Sequence, residues 1–269
     1  MMKFKLKMMR ITKSRIQTLY RLAALWSLCT LLHGAEEAPP VQIRYSLFDP
    51  LRGNHELFLM NAKTDELVPV MLADRSLSRE AIPVKRFNGR VHFLRNDKLQ
   101  KEELFKPDNV AFSVAVPDSV AQAAIVIIAS GARLYPVLLD DSPGKFPFGH
   151  SRLINTTTVA VGVRAGEHKN VAPPGKIAPI PPVRQLNEYQ QAKVSFECQM
   201  GESDSMVLSR KPLPFNDNKR RIWIAYMTKG AKRPVIATIV DSWRAPPEHS
   251  TSNKKSAVKN AESMNDLTF

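Results

Sequence analysis

Asp140 and Asp141 stand side by side in the stretch LYPVLLDDSPGKFPFGHSRLINTTTVAVGVRAG, with His150 a short way downstream. Two carboxylates and an imidazole are the materials of acid–base catalysis or of a metal site. Their spacing argues against both. Adjacent residues on an extended strand point to opposite faces, so the two acids do not converge unless the chain bends. A calcium loop needs several oxygen ligands at fixed intervals, and DDSPGKF offers too few. The Asp-Ser-Pro-Gly run is turn chemistry instead, because Pro sets φ and Gly accepts a positive one. The expectation is a structural corner between two strand sets. A hydrolase built on Asp140, Asp141 and His150 is the reading it competes with.

The remaining chemistry-bearing residues are scattered. His55, His92, His150, His168 and His249 show no metal-ligand spacing. There is no nucleophile elbow, no P-loop and no dinucleotide fingerprint. The sequence therefore points to no catalytic residue, cofactor or metal. Cys198 lies in AKVSFECQM, where alternation puts it on one face with Val194 and Phe196. This predicts a buried, unreactive thiol. Asn155-Thr-Thr fits the N-glycosylation pattern.

One stretch is strongly basic. NDNKRRIWIAYMTKGAKRPV carries Lys219, Arg220, Arg221, Lys229, Lys232 and Arg233 around Trp223 and Tyr226. Cations interleaved with aromatics suit a polyanion. The plainer alternative puts Ile222 and Ile224 in the core and the cations, solvated, at the two ends of a hairpin. Envelope phosphates and anionic polysaccharides are the expected polyanions, and nucleic acid is not.

That preference follows from the N-terminus. Of the net +14 charge, +7 falls within residues 1–35, which contain no acid. The basic region ends at Arg21, and LAALWSLCTLL follows as 11 largely apolar residues, then HGAEEAPP. This is the three-part layout of a signal peptide over residues 1–35. Crossing a bilayer as a helix takes about 20 apolar residues, so no membrane span is expected in the mature chain. The protein is expected to leave by the Sec route for the periplasm or the exterior. Cys29 would go with the signal, leaving Cys198 without an intramolecular disulfide partner.

From Val41 onward, short apolar runs recur between Pro, Gly, Asn and Asp. Fourteen of them read as strands, and AAIVIIA (123–129) is apolar on both faces, as a strand covered on each side must be. In NVAFSVAV, alternation puts Val110, Phe112, Val114 and Val116 on one face. The fold class expected is all-β: two consecutive Ig-like sandwiches at 41–143 and 147–243, or one larger sandwich. The two halves show no obvious sequence repeat. Residues 245–269 are polar and poor in core residues, and are expected to form a disordered tail.

ELFLMNAKTDELVPVMLADRSLSREAIPV, the 134–166 stretch and KRPVIATIVDSW together resemble uncharacterised secreted β-sandwich proteins of Verrucomicrobia and related bacteria. The resemblance includes a P-x-G-x-x-R-x-x-N segment, met here by Pro147, Gly149, Arg152 and Asn155. It implies a sandwich and no activity. The expected function is a non-catalytic binding or structural role in the cell envelope, with an envelope protein or an anionic polysaccharide as partner. The alternative is a periplasmic chaperone-like factor that pairs with a partner's strand.

Overall fold

The computed structural model describes residues 39–49, 55–70, 75–130, 133–199, 205–228 and 230–242. The expected signal peptide, the expected tail and Lys229 lie outside the described residues. Among the described residues no helix is long and apolar enough to cross a membrane.

Among the described residues sixteen strands form four sheets of four. The first eight are β1 (Val41–Phe48), β2 (Phe58–Met60), β3 (Leu67–Pro69), β4 (Ile82–Val84), β5 (Arg90–Leu94), β6 (Val110–Ala115), β7 (Gln122–Ser130) and β8 (Arg133–Asp140). The second eight are β9 (Ser151–Asn155), β10 (Val161–Ala165), β11 (His168–Ala172), β12 (Ile177–Ile180), β13 (Gln191–Gln199), β14 (Ser205–Pro214), β15 (Lys219–Tyr226) and β16 (Val235–Ser242). The sequence pattern locates fourteen of them. It misses β4 and β11, because IPV is short and HKNVA is too polar to read as a strand. The chain is an all-β sandwich fold.

The second eight strands repeat the connectivity of the first. One sheet of each set runs in the order β4-β1-β7-β8 or β12-β9-β15-β16, the other β3-β2-β5-β6 or β11-β10-β13-β14. The parallel pairing of β1 with β7 recurs as that of β9 with β15. Finer marks recur as well. Arg90-Val91-His92-Phe93 on β5 matches Lys193-Val194-Ser195-Phe196 on β13, and the ladder shifts register immediately after each Phe. Counting along the ladder from that match sets Val114 against Lys211, and three residues further Pro117 against Pro214. We call the two sets the first and second units.

Each unit closes over its own core. Ile43, Ile125 and Ile127 of one sheet meet Leu59, Val91 and Phe93 of the other in the first unit. Leu153 and Trp223 meet Val163, Val194 and Phe196 in the second. The Phe196 and Trp223 rings pack edge to face at 5.2 Å. A third cluster joins the units: Val126, Ile128 and Leu139 pack with Ile154, Ile222, Ile224 and Ile239. Both faces of β7 and β15 are thereby covered, which is why AAIVIIA lacks alternation. The layers run outer sheet, inner sheet, inner sheet, outer sheet, and the described residues from Pro40 onward form one compact unit.

The register shift divides the expected face of β6. Val114 and Val116 enter the first core, with Phe112 packed against it. Val110 pairs with Leu94 beyond the shift and turns to the outer surface, where Met60, Leu94 and Leu104 are buried. A β-bulge adds one residue to one strand and so reverses facing beyond it.

Candidate functional site

Asp140 and Asp141 do different things. The Asp140 carboxylate accepts from the Ser142 N–H (3.1 Å) and hydroxyl (2.6 Å), closing the turn that follows β8. Asp141 is 8% exposed and accepts a hydrogen bond from the Arg220 guanidinium. Arg220 also donates through Nε to Asp241 Oδ2 (2.8 Å) and through Nη1 to the Phe146 carbonyl. Its planar face lies 4.5 and 4.6 Å from the ring centres of Phe146 and Phe148. Arg44 of β1 grips Asp241 with two bonds of 2.8 and 2.6 Å and lies 3.6 Å from Asp141. Two cations and two anions, one of each from either unit, thus neutralise each other between the inner sheets. Both carboxylates are engaged and buried.

His150 stands apart from this cluster, its pKa lowered by burial and by the nearby Arg152 and Arg184 charges. Among the described residues no three of His, Cys, Asp and Glu gather as a metal ion would require. Cys198 is buried, and burial pushes its thiol pKa up. Gly149 takes φ +86° beside Asp217, and the Arg152 guanidinium lies 5.1 Å from the Phe146 ring centre and bonds the Lys145 carbonyl. Asn155 is 1% exposed. Its Nδ2 donates to Val159 O (2.7 Å) and Ala172 O (2.8 Å), while its Oδ1 accepts from Thr157 N–H (3.0 Å) and hydroxyl (2.7 Å). An amide so enclosed offers no glycosylation site in the folded chain.

The five described cations of the basic stretch do not form one surface. Arg220 is taken up in the ion cluster, and Arg221, also buried, lies 4.6 Å from the Phe215 ring centre and bonds the Pro214 carbonyl. Lys219 is half-buried at the same end of β15, whereas Lys232 and Arg233 are exposed at the other end. A strand of this length separates its ends by about 23 Å. The stretch looks like a patch in sequence because β15 carries its cations at its start and in the turn beyond.

The cations that do come together lie on the outer sheet of the second unit. Lys169 (β11) faces Arg164 (β10), Arg164 faces Ser195 (β13), and Ser195 faces Arg210 (β14). All three cations are exposed, as is Lys193, two residues along β13 on the same face. Among the described residues none of the four has a carboxylate partner. Like charges directly opposite on neighbouring strands are destabilising, so the Lys169–Arg164 pair costs the fold stability.

The first unit carries fewer charges on this surface: the exposed Arg90 stands at the place of Lys193, but Ser113 stands at that of Arg210. By the shared register, Gly162, Arg164, Lys169 and Glu197 stand where the first unit has Phe58, Met60, Leu67 and Leu94. Those apolar residues are covered by the β5–β6 connection, residues 95–109, with its short 3₁₀ turn at Lys101–Glu103 and inserted Leu99 and Leu104. The corresponding β13–β14 connection is only residues 200–204. The second unit therefore carries an exposed basic row where the first has a covered, largely apolar face. Sequence reading misses the row because its cations, on β10, β11, β13 and β14, are separated along the chain. The signal is the outward position of each in an alternating strand, legible only once the register is known.

No protein-family model matches this chain, and no curated protein matches it.

Proposed function

We propose that this chain is an exported, non-catalytic binding protein of the cell envelope or exterior, whose working surface is the basic outer face of its second unit and whose ligand is a polyanion. The observation that carries the reading is the internal comparison: two units of one topology, one outer face largely apolar and covered, the other exposed and richer in cations, none of which has a carboxylate partner among the described residues. Binding on an open sheet fits a protein whose acid pair is already engaged in holding the fold together. The export element rests on the layout of residues 1–35.

The test is binding of the purified chain to an immobilised polyanion across a salt series. Affinity should fall steeply with salt, since exposed charges are screened within about 8 Å at physiological ionic strength. The double variant Arg164→Glu, Arg210→Glu should lose binding at every salt concentration while unfolding no earlier than wild type, since it also removes the like-charge pair with Lys169. Unchanged binding in that variant would remove the basis of the reading.

A second reading has one observation of its own. β14 is an edge strand of ten residues with Met206 and Val207 40% and 48% exposed. An unpaired edge of this kind can accept a partner's strand, as the chaperone-like alternative requires. Capture of a single envelope protein that survives high salt, and is lost on Val207→Pro, would favour it.

A further inference from the structure

We infer that the hollow at the end of the basic row is a saccharide subsite, and that the polyanion is a carboxylated polysaccharide rather than a polyphosphate or a nucleic acid. This rests on the polyanion reading above and specifies its ligand.

The hollow, about 750 Å³ in volume, lies where the β13–β14 pair meets the loop of residues 184–190. That volume is within the range of small-ligand sites. Its lining mixes two chemistries. Lys193, Arg210 and Lys211 are cations without a carboxylate partner among the described residues. Gln185 and Asn187 of the loop, and Gln191 at the start of β13, add side-chain amides. The side chains of Gln185 and Gln191 and the Asn187 NH₂ have no hydrogen-bond partner among the described residues. Amides both donate and accept, which suits sugar hydroxyls. The guanidinium of Arg210 can take a carboxylate with two parallel bonds. A chain of phosphates offers acceptors alone and would leave the amide carbonyl oxygens of Gln185 and Gln191 without a donor, whereas sugar hydroxyls serve both ends of each amide.

Tyr189 stands on the same loop, between Asn187 and Gln191 in sequence; it is 70% exposed and lies outside the lining of the hollow, next to it along the chain. Tyrosine presents an apolar face with a polar tip, a combination suited to the mixed surface of a sugar ring. The loop that carries it is held firmly. Asn187 Oδ1 accepts the N–H groups of Tyr189 (3.0 Å) and Gln191 (2.9 Å), and the Gln191 carbonyl accepts the Asn187 N–H (2.8 Å). The Glu167 carboxylate accepts the N–H groups of Arg184 (2.7 Å) and Gln185 (3.2 Å). Gln190 sits at φ +56°, a conformation uncommon outside glycine, with its carbonyl bonded to the Phe215 N–H (2.8 Å). An exposed aromatic on a braced loop loses little conformational freedom on binding.

The experiment compares two probes, a polygalacturonate and an inorganic polyphosphate matched in charge, on the purified full-length chain. Tyr189→Ala and the double variant Gln185→Ala, Gln191→Ala alter exposed or half-buried polar side chains outside the core, so each is expected to fold, and the unfolding midpoint checks this. Each should weaken polygalacturonate binding by about tenfold, or about 1.4 kcal/mol, and leave polyphosphate binding unchanged. Arg210→Ala should weaken both. If polyphosphate binds as tightly as polygalacturonate and Tyr189→Ala changes neither, the saccharide subsite is refuted while the polyanion surface stands. If neither probe binds the wild-type chain, the polyanion surface itself fails.

Discussion

Asp141 and Asp241 occupy the same place in the two units, and the guanidinium of Arg220 binds both. Each follows the last apolar residues of its unit's final strand and precedes a serine, Ser142 or Ser242. The Asp141 N–H bonds to Gln122 at the start of β7, and Asp241 pairs with Arg220 near the start of β15. The inner sheets thus meet through equivalent faces, the internal counterpart of a two-fold interface. Apolar packing of Val126 and Leu139 against Ile222 and Ile239 has no direction along the sheet. The bonds from Arg44 and Arg220 do, and they fix how the two sheets register.

Arg220→Met should therefore be severely destabilising. It leaves Asp141 without its direct partner and Asp241 with one guanidinium instead of two. Breaking a buried ion pair from one side costs about 3–5 kcal/mol. Urea unfolding should show a loss in that range, and Arg220→Met with Asp141→Leu should recover part of it, since no charge is then left stranded at position 141. A loss below about 1 kcal/mol in the single variant would show that the apolar faces alone set the junction.

The two aspartates should answer acid in opposite senses. Burial raises the Asp241 pKa, but the hydrogen bonds and charges of Arg44 and Arg220 outweigh it and hold the carboxyl below its usual value. Its stabilisation is complete above the unfolded value of about 3.9 and is lost as pH falls through the lower folded value. At Asp141 burial outweighs the charges of Arg220 and Arg44, and the pKa is raised. Acidification from that raised value toward about 3.9 favours the folded state, because the folded chain binds the proton first. Urea midpoints at pH 6, 5, 4 and 3 test both signs. Asp241→Asn should be less stable than wild type at pH 6 and should lose less between pH 4 and 3. Asp141→Asn should lack the offset that Asp141 supplies between pH 6 and 4. Parallel curves for all three proteins would contradict the assignment.

The strands were legible in the sequence where one face is buried, as in AKVSFECQM, and where both are, as in AAIVIIA. The repeat was not. Its two copies share Val-x-Phe, a proline at or just past the end of the sixth strand and an Asp-Ser at the end, while the core positions between them changed freely among apolar residues. The working surface was illegible for a related reason. Arg164, Lys169, Lys193 and Arg210 become neighbours only through strand pairing, whereas the cations around Trp223, adjacent in sequence, are split between an interior and a distant turn. Asp141 was misleading in another way. Its pairing with Arg220 spans 79 residues, and no local pattern announces it.

Gly166 is irreplaceable on geometric grounds. It lies in the β10–β11 turn at φ +54°, and a Cβ built there would stand 2.5 Å from Val183 Cγ1, a buried atom of the second core. Gly166→Ala combines a disfavoured left-handed backbone with overpacking, a cost of about 2–3 kcal/mol. Adding Val183→Ala removes the clash but not the backbone penalty, so the double variant should be more stable than the additive sum of the two single changes. Additive losses would mean that the two side chains do not meet.

The basic row sets stability against binding, and Lys169→Glu separates the two. The change turns a like-charge cross-strand pair with Arg164 into an opposite-charge one. Cross-strand pairs contribute about 0.2–1 kcal/mol, so the unfolding midpoint should rise by an amount in that range. The same change removes one cation, adds an anion beside a second and draws Arg164 into an internal pair. Polyanion affinity should fall together with its dependence on salt. A residue whose replacement stabilises the fold while abolishing binding is one that folding alone does not account for. Were Lys169→Glu instead to lower both the midpoint and the affinity, the row would be part of the fold's own support, and the contrast between the two outer faces would no longer argue for a ligand.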